Sequence, residues 1–274
     1  MTSPSTRNNN YHYLGIILFA ILTYSLTISD DAYSGPPFIT DDPEPVEYRH
    51  WEFYVASQFN YSKGNISGTA PHVEINYGVI QDVQLHVIAP VSYSITRGKE
   101  VDLHIIHPIS YDRTKWNRVK ISYGNTEIGM KVRFLHESEK VPQLGVFPMI
   151  EAPTGSRALG YNSLPQLNLP LYLQKSWDKL TTYGGGGFWY NPGKNNKNYW
   201  FAGWQLQYKI TDIFTLGGEF FYNSPDNSGA DYRVSANLGM IVDFNEHCHL
   251  LFSVGRDING PNIVFSYLSI QFTI

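Results

Sequence analysis

The strongest constraint on this chain is a repeat of form, not of letters. Beyond residue 49 it divides into twelve segments of 9–13 residues in which apolar and polar side chains alternate. They span 50–60, 70–80, 83–95, 124–136, 143–152, 164–174, 179–190, 199–210, 213–222, 231–243, 248–256 and 262–274. In 83–95, Val83, Leu85, Val87 and Val91 alternate with Gln84, His86 and Ser92. In 124–136, Ile128, Met130, Val132 and Phe134 alternate with Glu127, Gly129, Lys131 and Arg133. Val234, Ala236, Leu238 and Met240 do the same against Arg233, Ser235, Asn237 and Gly239. Such segments present one face to an apolar surrounding and the other to something polar. Tilted strands of about 9–11 residues cross a bilayer, and an even count suits a single-chain bacterial barrel.

A soluble β-sandwich alternates in the same way, so the connections must discriminate. Those at 80–82, 137–142, 175–178, 211–212 and 244–247 are short. Those at 61–69, 96–123, 153–163, 191–198, 223–230 and 257–261 carry the Gly, Asn, Pro and Ser of exposed loops. The two sets alternate along the chain, as short periplasmic turns and longer outer loops do in outer-membrane barrels. Both chain ends then fall on the periplasmic side, and 96–123 lies outside the cell. The expected fold is all-β: a single antiparallel transmembrane barrel of about twelve strands over 50–274.

Composition supports this class. Charged residues are 16%, aromatic residues 15% and the mean hydropathy −0.26. That excludes a disordered chain, a coiled coil and a multi-span helical membrane protein. A net charge of −4 argues against a nucleic-acid binder. The single Cys248 excludes a disulfide framework and a Cys-rich zinc site. Trp51, Tyr93, Tyr172, Trp177, Trp189, Tyr190, Trp200, Trp204, Tyr208 and Tyr222 fall near segment ends, and two interfacial girdles are expected from them.

Residues 14–28 form an uncharged apolar run, short for a spanning helix, behind a polar leader. This reads as a signal peptide over 1–34, cut after Ser34, with an uncleaved anchor as the alternative. Residues 35–49 are Pro-rich and hold Asp41, Asp42, Glu44 and Glu47. They read as a periplasmic latch or a lid over the barrel mouth, with calcium binding by the four carboxylates as the alternative.

The inward faces carry Glu52, Glu74, Glu127, Glu151 and Glu219, with Lys131, Arg133, Lys209 and Arg233. Mixed charges in such positions fit a wet lumen, because buried charges must pair or reach water. Glu74, Glu127, Lys131, Arg133, Glu219 and Arg233 are the expected channel-lining residues. No catalytic, cofactor or metal site is expected. His247 and His249 beside Glu246 read as a turn and strand start, and Gly184–Gly187 lacks the Lys-Ser/Thr of a phosphate loop. His86 is too far along one strand from Ser92 and Ser94 to build a hydrolase site with them.

Five stretches carry a family resemblance: GPPFITDDPEPVEYRHWE at 35–52, GNTEIGMKVRFLHESEKVPQLGVFPMIEAPTG at 124–155, YGGGGFWYN at 183–191, YWFAGWQLQYKITDIFTLGGE at 199–219 and HLLFS at 249–253. Together they resemble the bacterial outer-membrane family catalogued as "MetA-pathway of phenol degradation", whose members are labelled transporters. The resemblance implies an outer-membrane barrel and supplies no substrate or catalytic residue. The chain departs from such barrels in ending on Ile274 instead of an aromatic residue. The expected function is a non-enzymatic channel for small solutes, hydrophobic or aromatic ones among them, by passive diffusion through the outer membrane of a Gram-negative bacterium. Its expected partners are outer-membrane lipid, the solute and the barrel-assembly machinery, without nucleic acid or cofactor. The alternatives are a closed structural or adhesive barrel acting through its outer loops, and a soluble periplasmic β-protein.

Overall fold

The computed structural model describes residues 37–97 and 117–274. The expected signal peptide and most of the 96–123 connection lie outside the described residues. Within them the chain forms one closed antiparallel barrel of twelve strands. These are β1 (Trp51–Ser62), β2 (Asn65–Ile80) and β3 (Val83–Arg97), then β4 in two halves (Asn117–Tyr123 and Thr126–Leu135) and β5 in two halves (Gln143–Val146 and Met149–Ala152). There follow β6 (Gln166–Trp177), β7 (Leu180–Tyr190), β8 (Tyr199–Thr211), β9 (Phe214–Asn223), β10 (Arg233–Asn245), β11 (Cys248–Asn259) and β12 (Val264–Thr273).

Every strand pairs with its sequence neighbours, and β1 closes on β12 in the register Glu52↔Thr273 to Tyr61↔Val264. The barrel mends its two broken strands from the side. Both halves of β4 pair with β3, and both halves of β5 pair with β6. The β5 break falls at Phe147-Pro148, where proline has no N–H to give to the ladder.

Closure leaves no sheet edge, which is the condition for a β-structure to sit in lipid. The outer face is correspondingly apolar: Ile128, Ile150, Leu169, Leu171, Leu206, Phe220, Leu238 and Val254 are all exposed. The inner face is polar and buried, with Asn76, Gln84, His86, Gln205, Glu219, Asn237 and Ser253 each under 5% exposed. A small apolar cluster of Tyr54, Ile241 and Leu251 interrupts it.

Three details differ from the sequence reading. The first connection is a two-residue turn, Lys63-Gly64, with Gly64 at φ 86°, and not a loop over 61–69. The Ser, Gly and Pro of 67–71 signal a loop but are absorbed into β2 at a register shift between Thr69 and His72. The end of the 96–123 connection continues β4 from Asn117. Tyr172 and Trp189 face the lumen instead of joining a girdle, since alternation along β6 and β7 decides their side. Trp51, Trp177, Tyr190, Trp200, Trp204, Tyr208 and Tyr222 remain exposed on the outside.

Candidate functional site

The site is the lumen, and the chain itself occupies part of it. Residues 37–46 run inside the barrel before the chain turns into β1. Their anchors are polar. Ser253 Oγ donates to the carbonyl of Pro37 at 2.6 Å. The Glu219 carboxylate accepts the N–H groups of Ile39 and Thr40 at 3.0 and 2.5 Å, and Asn237 Nδ2 at 3.3 Å. Lys131 Nζ reaches Asp41 Oδ1 at 3.0 Å, Asp42 Oδ1 at 3.3 Å and the Glu44 carbonyl at 3.3 Å. Arg133 donates to Glu44 at 3.1 Å, and Gln143 and Gln174 each donate to the same carboxylate at 3.3 Å. Gln84 Oε1 accepts from the N–H of Val46 at 2.8 Å. The chain leaves along β2, where Arg49 N–H meets the Gly78 carbonyl at 2.7 Å.

Glycine on the wall makes room for this segment. A Cβ at Gly203 would lie 1.8 Å from Thr40 Oγ1, and one at Gly217 or Gly239 would lie 2.9 or 2.7 Å from the Phe38 ring. The four-glycine run works elsewhere: a side chain at Gly185 would strike Tyr172, and one at Gly187 would strike Phe201.

Burial raises the Asp42 carboxyl to about 6, although the Lys131 ammonium beside it works in the opposite direction. In the β2–β3 turn, Asp82 takes Arg133 Nε and Nη2 at 2.9 and 2.8 Å and His136 Nε2 at 2.8 Å. Burial acts against ionisation there, but these donors outweigh it and hold Asp82 below the usual carboxylate range.

Beyond the inserted segment lies a cavity of about 670 Å³. It reaches from Phe38, Asp41 and Asp42 to Trp189, Tyr199 and Arg233 near the long-connection ends of the strands. Of the six expected channel-lining residues, Glu74, Glu127, Lys131 and Arg233 line it, as do the inward Glu52 and Glu151. Arg133 and Glu219 face inward too, but their side chains hold the inserted segment. Arg233 is fixed by Asp257 at 2.5 Å and lies over the Phe265 ring at 5.4 Å. The carboxylates of the Pro-rich segment have Lys131 and Arg133 where the calcium alternative would put a metal.

Sequence reasoning did not find Asn168 or Tyr161. Asn168 is buried against the cavity. Tyr161 comes from the 153–165 connection, enters the lumen beside the β4 break and bonds Ser92 at 2.6 Å. Nothing in the local sequence marks either residue, since each is placed by its neighbours across the wall.

A closed twelve-strand barrel with an apolar outside and a polar lumen defines the fold class of the outer-membrane barrels. No protein-family model matches the chain, and no curated protein matches it. Among solved structures it is similar to the COG4313 outer membrane channel from Pseudomonas putida F1, at 14% identity and a TM-score of 0.59, over 85% of this chain and 98% of that one. It is similar to the KdgM porin at 11% identity and 0.51, over 80% and 98%. The translocator domain of the autotransporter NalP from Neisseria meningitidis matches at 10% and 0.52, over 96% of each. These likenesses are likenesses of fold.

Proposed function

We propose that the protein is an outer-membrane channel for small solutes whose inserted N-terminal segment closes the periplasmic half of the lumen. The observation that carries this reading is the chemistry of the closure. Residues 37–46 are held by hydrogen bonds and ion pairs to a polar wall, with a cavity of about 670 Å³ beyond them. Such contacts can be exchanged for water, whereas a filled apolar core cannot. The similar COG4313 protein is named an outer membrane channel and KdgM a porin, which supports the reading. The motifs at 35–52 and 124–155 support membership of the phenol-degradation transporter family and passage of hydrophobic or aromatic solutes by passive diffusion. Outer-membrane lipid and the assembly machinery are the partners this role requires.

A closed structural barrel is the second reading, and the occupied lumen is the observation in its favour. Single-channel recording in a planar bilayer separates the two. Discrete conductance steps are expected from the wild type, and more frequent ones from Lys131→Met. Silence from both proteins, each shown to be folded, leaves the structural barrel.

A further inference from the structure

We propose that the cavity binds an organic cation: a protonated amine carried on an aromatic body. The proposal rests on the channel reading above and names its solute class. It begins with strand register. Glu74 pairs with Ile88, Ile88 with Glu127, and Glu127 with Glu151, and all four line the cavity. Three carboxylates therefore share one belt around the wall, with Glu127 and Glu151 directly opposite each other. Like charges in that relation destabilise a sheet, and enclosed carboxylates call for a counter-charge.

The protein supplies too little of it. His86 stands between two of them, with Nε2 3.2 Å from Glu127 and Nδ1 3.5 Å from Glu74. Glu151 receives the neutral Asn125 amide at 2.9 Å. Lys131 is committed to Asp41 and Asp42, and Arg233 to Asp257. His72, also on the cavity, contacts Thr69 at 3.2 Å.

An independent observation points to a donor from outside the chain. Asn168 is 4% exposed, lines the same cavity and pairs in register with Met149 and Trp189. Its Oδ1 is buried without a hydrogen-bond partner, and leaving a buried acceptor unmet is costly. An ammonium carries donors and no acceptor, which is what the belt and this oxygen lack.

The body of the ligand has its own surface. Trp189 stacks on Tyr199 at 5.8 Å and 6°, and Phe201 on Phe221 at 6.0 Å and 21°, all four lining the cavity. Aromatic faces take both apolar rings and cations. The volume of about 670 Å³ suits one small molecule. An anion would meet the belt's repulsion, and a neutral aromatic would leave its charge uncompensated.

Calorimetric titration of the folded full-length barrel in detergent tests this with three probes that share one phenylethyl body: 2-phenylethylamine, 2-phenylethanol and 3-phenylpropionate. The amine is expected to bind about tenfold more tightly than the alcohol, and the acid more weakly still. In Glu127→Gln/Glu151→Gln the amine-to-alcohol ratio is expected to fall below about threefold. Heat-modifiable migration on a gel checks that the variant is folded, and Asn168→Leu offers a second variant that removes the acceptor without touching the belt. Equal affinity for the acid or the alcohol, an unchanged ratio in the folded double variant, or no binding of any probe overturns the proposal. Conductance in a bilayer is scored separately, so a barrel that conducts without preferring the amine refutes the ligand class and leaves the channel reading standing.

Discussion

At the scale of single residues, depth and side decide what a substitution costs. Ile128 lies on the outer face between Val87 and Ile150, further into the wall from the start of β3 than Val132. Val132 is also outward but pairs with Val83, the first residue of β3, at the short-turn rim. An Arg facing lipid costs about 2–4 kcal/mol at the midplane and about 0–1 kcal/mol near the interface. Ile128→Arg should therefore lower stability against urea by the larger amount and Val132→Arg by the smaller. Equal losses would place the two side chains at one depth. Asp82 offers a second residue-scale prediction. Its carboxyl is held below the usual range by Arg133 and His136. A depressed carboxyl adds stability that is complete above the ordinary carboxylate pKa and is lost as pH falls through its lower folded value. The folded barrel should lose stability on acidification below about pH 4, and Asp82→Asn should flatten that slope in a pH series of unfolding midpoints.

At the scale of elements, the inserted segment and the wall are made for each other. Lys131 bridges Asp41 and Asp42 from β4, and removing one partner of a buried ion pair costs about 3–5 kcal/mol. Lys131→Met should thus release the segment, visible as faster cleavage of residues 37–46 by added protease while the barrel resists. Gly203→Val should act the same way, because its side chain would enter the space of Thr40. Unchanged protection in both variants would mean that the remaining anchors suffice. Asp42 adds a pH dependence of known sign. Its carboxyl, raised to about 6 by burial, holds a proton more tightly in the docked segment than in water. Docking is favoured most below the ordinary carboxylate pKa, and this contribution fades as pH rises through 6. Protease protection should therefore increase between pH 7 and pH 5, and Asp42→Asn should remove that part of the increase.

At the scale of the whole molecule, the charge left on the lumen wall should govern what passes. The cavity gathers Glu74, Glu127 and Glu151, while the nearby cations Lys131 and Arg233 are already paired. Acidic rings favour cations in other pores. The reversal potential under a salt gradient should show cation preference in the wild type, and Glu74→Gln/Glu127→Gln/Glu151→Gln should move it toward zero. A conducting wild type that prefers anions would mean that ions bypass this belt.

The strand count, the side of most residues and the short turns could be read from the sequence because each is local. Period-two alternation names the face, and a short polar run between two such segments names a turn. Gly68 and Pro71 misled because a turn signal and a strand irregularity use the same residues. Girdle membership failed at Tyr172 and Trp189, where nearness to a strand end was weighed above side. The candidate site was legible only in part. Glu74, Glu127, Lys131 and Arg233 could be placed inward by alternation, but their partners lie up to ninety residues away in the chain. That Lys131 and Arg133 grip Asp41, Asp42 and Glu44, that Glu127 faces Glu151, and that Asn168 has an unmet oxygen depend on barrel closure and strand shear. These are long-range register relations, and alternation, which repeats every second residue, carries no information about them.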